Sequence, residues 1–190
     1  MRLVRVGVAT ILAWALWATA AAEGLPLARD LAADGRDARA TGRVIVVLFS
    51  AGDCPYCKRV RDGFLHPLAS DDAANGVLVR EVDVDAAQPV VDFSGRQVTH
   101  EALGRTRGAR VVPYVVFLGP GGERLADPLI GISSIDLYGG LLERRIEQAR
   151  ERLKAKGKDS GFRSRDSLIL NPRWAVSPPP APSPSATAGG

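Results

Sequence analysis

The chain has 190 residues and a hydrophobic fraction of 46%, which suits one domain with extensions and a packed core. Its 25 basic and 21 acidic residues give a formal charge of +4. Arg2 and Arg5 lie in an N-terminal leader, so the rest of the chain carries only about +2, and its positive residues are scattered. The loose group Lys154, Lys156 and Lys158 reads as a solvated helix end, which argues against nucleic-acid binding.

Residues 1–22 have the three-part layout of a secretory signal peptide. Two arginines precede an almost wholly apolar run from Val6 to Ala18, and small residues follow. Cleavage is expected near Ala20 or Ala22, so the chain is expected to be exported. No apolar run of about 20 residues follows, so no internal transmembrane helix is expected.

Leu27, Leu31 and Ala38 recur at helical spacing, which predicts an amphipathic helix over Leu25–Ala38. Arg43–Ser50 is a β-branched, apolar run typical of a strand buried on both faces. Cys57–Ser70 reads as a helix that Pro67 bends or ends, and Asp71–Gly76 reads as a loop. Val77–Val84 is a second strand. Asp85–Val98 is irregular, with the makings of a small hairpin. Thr99 is placed to cap a short helix that Gly108 ends. Val111–Leu118 and Glu123–Ile130 flank a Gly-Pro-Gly-Gly turn as an antiparallel pair. Gly131 breaks the second of these strands, and Ser133 or Ser134 caps a long helix over Ile135–Lys156. From residue 157 to 190 the periodicity fades into a Pro, Ser and Ala tail that is expected to stay disordered. The domain is therefore expected over residues 23–156. Its order of elements makes an α/β fold, a mixed central sheet with helices on both faces.

The chemistry concentrates in Asp53-Cys54-Pro55-Tyr56-Cys57-Lys58, directly after the buried strand. These are the only two cysteines. A bridge between them closes a loop too small to stabilise much through chain entropy, so a reactive pair is favoured over a structural staple. Cys54 falls at a helix N-terminus, where free N–H groups and the helix dipole favour a thiolate. Cys57 lies one turn further on, and Pro55 suits the first helical turn. This order makes Cys54 the attacking sulfur and Cys57 the resolving one.

Cys54-Pro55-Tyr56-Cys57-Lys58 after an apolar strand resembles the active site of the thioredoxin superfamily. The Pro-Tyr pair is similar to the glutaredoxin version. Val112-Pro113 resembles the family's cis-proline, and Gly131 the glycine before its last helix. The resemblance covers Arg43 to Lys156. It implies a thioredoxin-like fold, a cis Pro113, and a Val112 backbone exposed for pairing with an extended substrate. Two departures stand out. Leu48 occupies the position of a buried aspartate in many thioredoxins, which leaves Lys58 or solvent as proton acceptor. Asp53 replaces a common tryptophan, and a carboxylate there opposes a Cys54 thiolate.

The expected function is that of an exported, periplasmic thiol–disulfide oxidoreductase acting on protein thiols and disulfides, more as a reductase than an oxidant. It is expected to be a monomer, to need no cofactor or metal, and to be recycled by a membrane electron carrier. The alternative is a copper-binding or metallochaperone module using Cys54 and Cys57, since thiolates suit Cu(I). Against it, Met1 is the only methionine and no histidine lies near Cys54 in sequence. His66 and His100 read as surface or packing residues.

Overall fold

The computed structural model describes residues 24–170, with side chains to residue 157. The expected leader and the tail from residue 171 lie outside the described residues. The elements are α1 (Leu31–Thr41), β1 (Val44–Ser50), α2 (Pro55–Val60), a π-helical turn (Arg61–Leu65), α3 (His66–Ser70), α4 (Asp72–Asn75) and β2 (Val77–Asp83). There follow β3 (Pro89–Val91), β4 (Gln97–Thr99), α5 (His100–Arg107), β5 (Tyr114–Leu118), β6 (Arg124–Ile130) and α6 (Ile135–Leu170).

The sheet runs β2-β1-β5-β6. β1 pairs parallel with β2 and antiparallel with β5, and β5 pairs antiparallel with β6. All seven residues of β1 are buried, because helices cover both faces of the sheet. Val44, Val46 and Leu48 face a cluster completed by Val60 and Leu65 below the active-site helix and by Leu142, Ile146 and Ala149 of α6. Ile45, Val47 and Phe49 face the other cluster, with Leu31 and Ala38 of α1 and Leu103 of α5. A continuous apolar run is what a strand in that position needs. Among the described residues no helix is long and apolar enough to cross a membrane.

Five elements differ from their sequence reading. Helix α1 starts at Leu31 rather than Leu25, capped by Asp30, whose carboxylate accepts the Ala33 N–H at 2.7 Å. The preceding residues are an extended strap along the outer edge of β2. The Ala28 N–H donates to the Glu81 carbonyl at 2.8 Å, and the Glu81 N–H donates to the Pro26 carbonyl at 2.9 Å. Pro26 cannot donate within a helix, and the free edge of β2 offers the strap partners. The helix also runs through Gly35, where a Cβ would come within 2.3 Å of the Pro120 carbonyl oxygen, so the glycine marks a close approach rather than an end.

The segment 71–76 is not a loop: Asp71 accepts the Ala74 N–H at 3.2 Å and starts the single turn of α4. The bend attributed to Pro67 lies ahead of it, in the π-helical turn, where the His66 N–H donates to the Arg61 carbonyl. Pro67 has no N–H for the carbonyl four residues back, and a widened turn relieves the crowding there. Strand β5 begins at Tyr114, three residues later than read from sequence, because 111–113 form the bend that carries the cis Val112–Pro113 peptide. Helix α6 runs past Lys156 through the last described residue, Leu170.

The irregular stretch after β2 does form a hairpin, β3 with β4. The strap holds it through the Val91 N–H, which donates to the Arg29 carbonyl at 2.9 Å. Thr99 caps α5, as expected, by accepting the Ala102 N–H at 3.1 Å.

Candidate active site

β1 ends at Ser50, and Ala51-Gly52-Asp53 turn the chain so that α2 starts at Pro55 with Cys54 as its N-cap. The Cys54 N–H donates to the Ala51 carbonyl at 3.3 Å, which closes the turn. Pro55 takes the first helical position, where its missing N–H costs nothing. The two cysteines form a disulfide with Cα atoms 5.2 Å apart. Cys54 Sγ also accepts the Cys57 N–H at 3.1 Å. The helix start thus aims a free N–H at this sulfur, which is how a helix terminus holds a developing thiolate. Cys54 is half-buried and Cys57 fully buried, so only the first sulfur is open to a partner.

The other residues picked out in sequence divide into two groups. Tyr56, between the cysteines, is 58% exposed, and Asp53 lies in solvent. Lys58 turns outward and donates to Asp62 at 2.8 Å, and this bond lowers the pKa of the Asp62 carboxyl from its usual value. Lys58 is therefore committed away from the buried sulfur. Pro113 is buried and preceded by a cis peptide bond, and its carbonyl accepts the Gly131 N–H at 2.8 Å. Because Phe49 pairs with Tyr114 across β1 and β5, Val112 and Pro113 lie at the same end of the sheet as the dithiol turn. The exposed apolar residues Val111 and Ile130 flank this bend, at 57% and 62% exposure.

One polar cluster was not read from the sequence. Glu81 is 4% exposed, on the face of β2 that also carries Val77 and Val79. It is the register partner of Leu48, so a buried carboxylate does exist beside that position, on the neighbouring strand. The Ser50 hydroxyl donates to it, and Arg61 reaches both its oxygens, with Nε at 3.0 and 2.9 Å. The bond to Glu81 holds the Arg61 pKa above its ordinary value. The sequence signal was parity: Glu81 falls at an inward position of an alternating strand. The pair forms one wall of a cleft of about 930 Å³ that the strap residues Leu25 and Pro26 share with Ala51 and Gly52 of the active-site turn.

His100 is fully buried: its Nε2 lies 2.8 Å from the Ala28 carbonyl and its Nδ1 accepts the Asp83 N–H at 3.2 Å. Both ring nitrogens are therefore spent on backbone groups. His66 is exposed. Arg105 pairs with Glu101, and Arg107 stacks on Phe93 at 5.1 Å while donating to the Gly122 carbonyl at 2.7 Å, so neither is spare for a partner.

A family model described as a thioredoxin-like domain matches residues 31–144. The chain belongs to that family. Among solved structures, it is similar to a thioredoxin variant from Halobacterium salinarum at 22% identity, covering 64% of this chain and 91% of that one with a TM-score of 0.43. It is also similar to the germline-specific thioredoxin Deadhead of Drosophila melanogaster at 21% identity, covering 63% and 98% with a TM-score of 0.44. Fasciola hepatica thioredoxin gives 21% identity, 64% and 99% coverage, and a TM-score of 0.44. No curated protein matches the sequence. The thioredoxin-like fold and the close cysteine pair support thiol–disulfide chemistry in general terms.

Proposed function

We propose that the protein is an exported thiol–disulfide oxidoreductase that reduces disulfides in protein substrates in the periplasm. The observation that carries the reading is the asymmetry of the pair: a half-exposed Cys54 at a helix start, bonded to a fully buried Cys57. In the reduced protein, the Cys54 thiolate attacks one sulfur of a substrate disulfide. The other substrate sulfur leaves as thiolate and takes a proton. Cys57 then loses its proton and attacks Cys54, releasing the second substrate thiolate and closing the bridge. Two electrons pass to the substrate, and a membrane dithiol carrier returns them. The apolar surface of Tyr56, Val111 and Ile130 suits an unfolded or extended segment, and the bend at Val112-Pro113 offers backbone for strand-like pairing. Asp53 beside Cys54 disfavours the very stable thiolate of a strong oxidant, which supports the reductase direction.

Insulin reduction with a dithiol donor tests the reading. The parent chain is expected to turn over, Cys54→Ser to be inactive, and Cys57→Ser to accumulate mixed disulfides with its substrates. Full turnover by Cys54→Ser would reassign the nucleophile. Absence of turnover together with stoichiometric Cu(I) binding would favour the copper-binding alternative.

A further inference from the structure

In the proposed exchange, Cys57 must lose a proton inside the protein before it can release the substrate. Lys58 is turned to solvent and paired with Asp62, and Leu48 brings no charge. The charged residue one helical turn on from Cys57 is Arg61. It stands four residues after Cys57, and its backbone N–H donates to the Cys57 carbonyl. Side chains at this spacing leave one face of a helix about 5–6 Å apart at Cβ. The π-helical turn opens at Arg61, and such turns recur at functional sites. The guanidinium is anchored on the sheet side by Glu81, itself bonded by Ser50, in the interior face that α2 covers. Its fixed orientation is therefore not a surface accident: Glu81 is all but fully buried and, among the described residues, pairs with no other cation.

On the reading that Cys54 and Cys57 are a redox pair, we propose that Arg61 is a positioning residue for the resolving step, its guanidinium fixed by Glu81 and Ser50 so as to govern how readily Cys57 gives up its proton. The pair acts as a dipole, with its positive end on the helix that carries the thiol and its negative end on β2. A cation near a thiol favours the thiolate, and the carboxylate behind it offsets part of that pull. The other ionisable groups around this face are Asp53 in the turn, Lys58, Asp62 and His66 along the helix, and Asp83 at the end of β2. Lys58 and Asp62 neutralise one another.

The test is a thiolate absorbance titration of the full chain in a Cys54→Ser background, where Cys57 is the one thiol left. Glu81→Gln keeps the hydrogen-bonding shape but removes the countercharge, so Cys57 should become more acidic. Arg61→Gln should make it less acidic. Each change is expected to alter the thiolate-to-thiol ratio at a given pH by about tenfold, which moves the midpoint by about one pH unit. Arg61→Lys should stay near the parent, and the double neutral variant should return toward it. With Cys54 restored, the reduction potential should become less negative in Glu81→Gln and more negative in Arg61→Gln. If Arg61→Gln does not fold, Arg61→Lys set against Glu81→Gln carries the test alone. Midpoints that stay put, or that shift the same way in Glu81→Gln and Arg61→Gln, would overturn the proposal and leave the pair a structural bond. The titration requires no enzyme turnover. Opposite shifts in a chain that fails to reduce insulin would therefore retain the electrostatic role and sink the oxidoreductase reading instead.

Discussion

The end of β2 serves two buried polar clusters that work differently. Toward the active-site helix, Glu81 meets Ser50 and Arg61 through side chains, and charge meets charge. Toward the strap and hairpin, His100 meets the Ala28 carbonyl and the Asp83 N–H, so one ring satisfies two backbone groups. Backbone partners fix where segments lie, because an unpaired buried peptide group is costly wherever it occurs. Side-chain partners fix where a charge lies, and their removal changes chemistry as well as stability. The first cluster shares a cleft with Ala51 and Gly52 of the dithiol turn; the second ties the strap to β2 and α5.

His100→Ala should break the second cluster outright. It leaves the Ala28 carbonyl and the Asp83 N–H without their partner and opens a cavity, at a cost of roughly 2–5 kcal/mol. Denaturant unfolding measures the loss. In the molecules still folded the acidity of Cys57 should be unchanged, and a large shift there would show that the two clusters are not separate. Acid should sharpen the contrast next. Asp92 in the hairpin accepts from the Ser94 hydroxyl and from the Ser94 and Arg96 N–H groups, and these bonds, that of the hydroxyl foremost, lower its pKa to about 2. A carboxylate depressed in the folded state stabilises at pH values above its unfolded pKa of about 3.9 and loses that contribution as pH falls toward the folded value. Hydrogen exchange should therefore show the β3–β4 turn loosening between about pH 4 and pH 2, and Asp92→Asn should abolish that pH dependence. The smallest effect belongs to Lys58→Ala. Its ion pair with Asp62 is exposed, so the stability change should be no more than about 0.5 kcal/mol, with Cys57 acidity nearly unmoved. A marked rise in Cys57 pKa would return Lys58 to the role that the structure gives to Arg61.

Strand β1 was legible because burial on both faces leaves an unbroken apolar run, and the dithiol turn was legible because Cys54, Pro55 and Cys57 each fill a position with a stated physical need. The cis Val112–Pro113 bond followed from family resemblance alone. The strap was misread because Leu27 and Leu31 fit helical spacing, while the strand edge that captures residues 26–28 lies some fifty residues away in sequence. Glu81 was visible as a residue, but its meaning was not. A carboxylate at an inward strand position requires a partner, and Arg61 becomes that partner only after two elements have packed. The turn of α4 escaped notice because Asp71 and Gly76 look the same at the ends of a loop and at the ends of a single helical turn.

The π-helical turn introduces one residue of slack into the rod that carries the dithiol. One residue is about 100° of helical rotation. Ahead of the turn, Cys57 and Val60 face inward three residues apart; behind it, Leu65 faces inward five residues further on, where a regular helix would present Phe64. The two halves of the rod are thus indexed separately to the core. The rear half is seated by Leu65, the front half by Val60 and by Arg61 on Glu81, and the angle at which the two sulfurs meet a partner is set without reference to how the chain leaves toward β2.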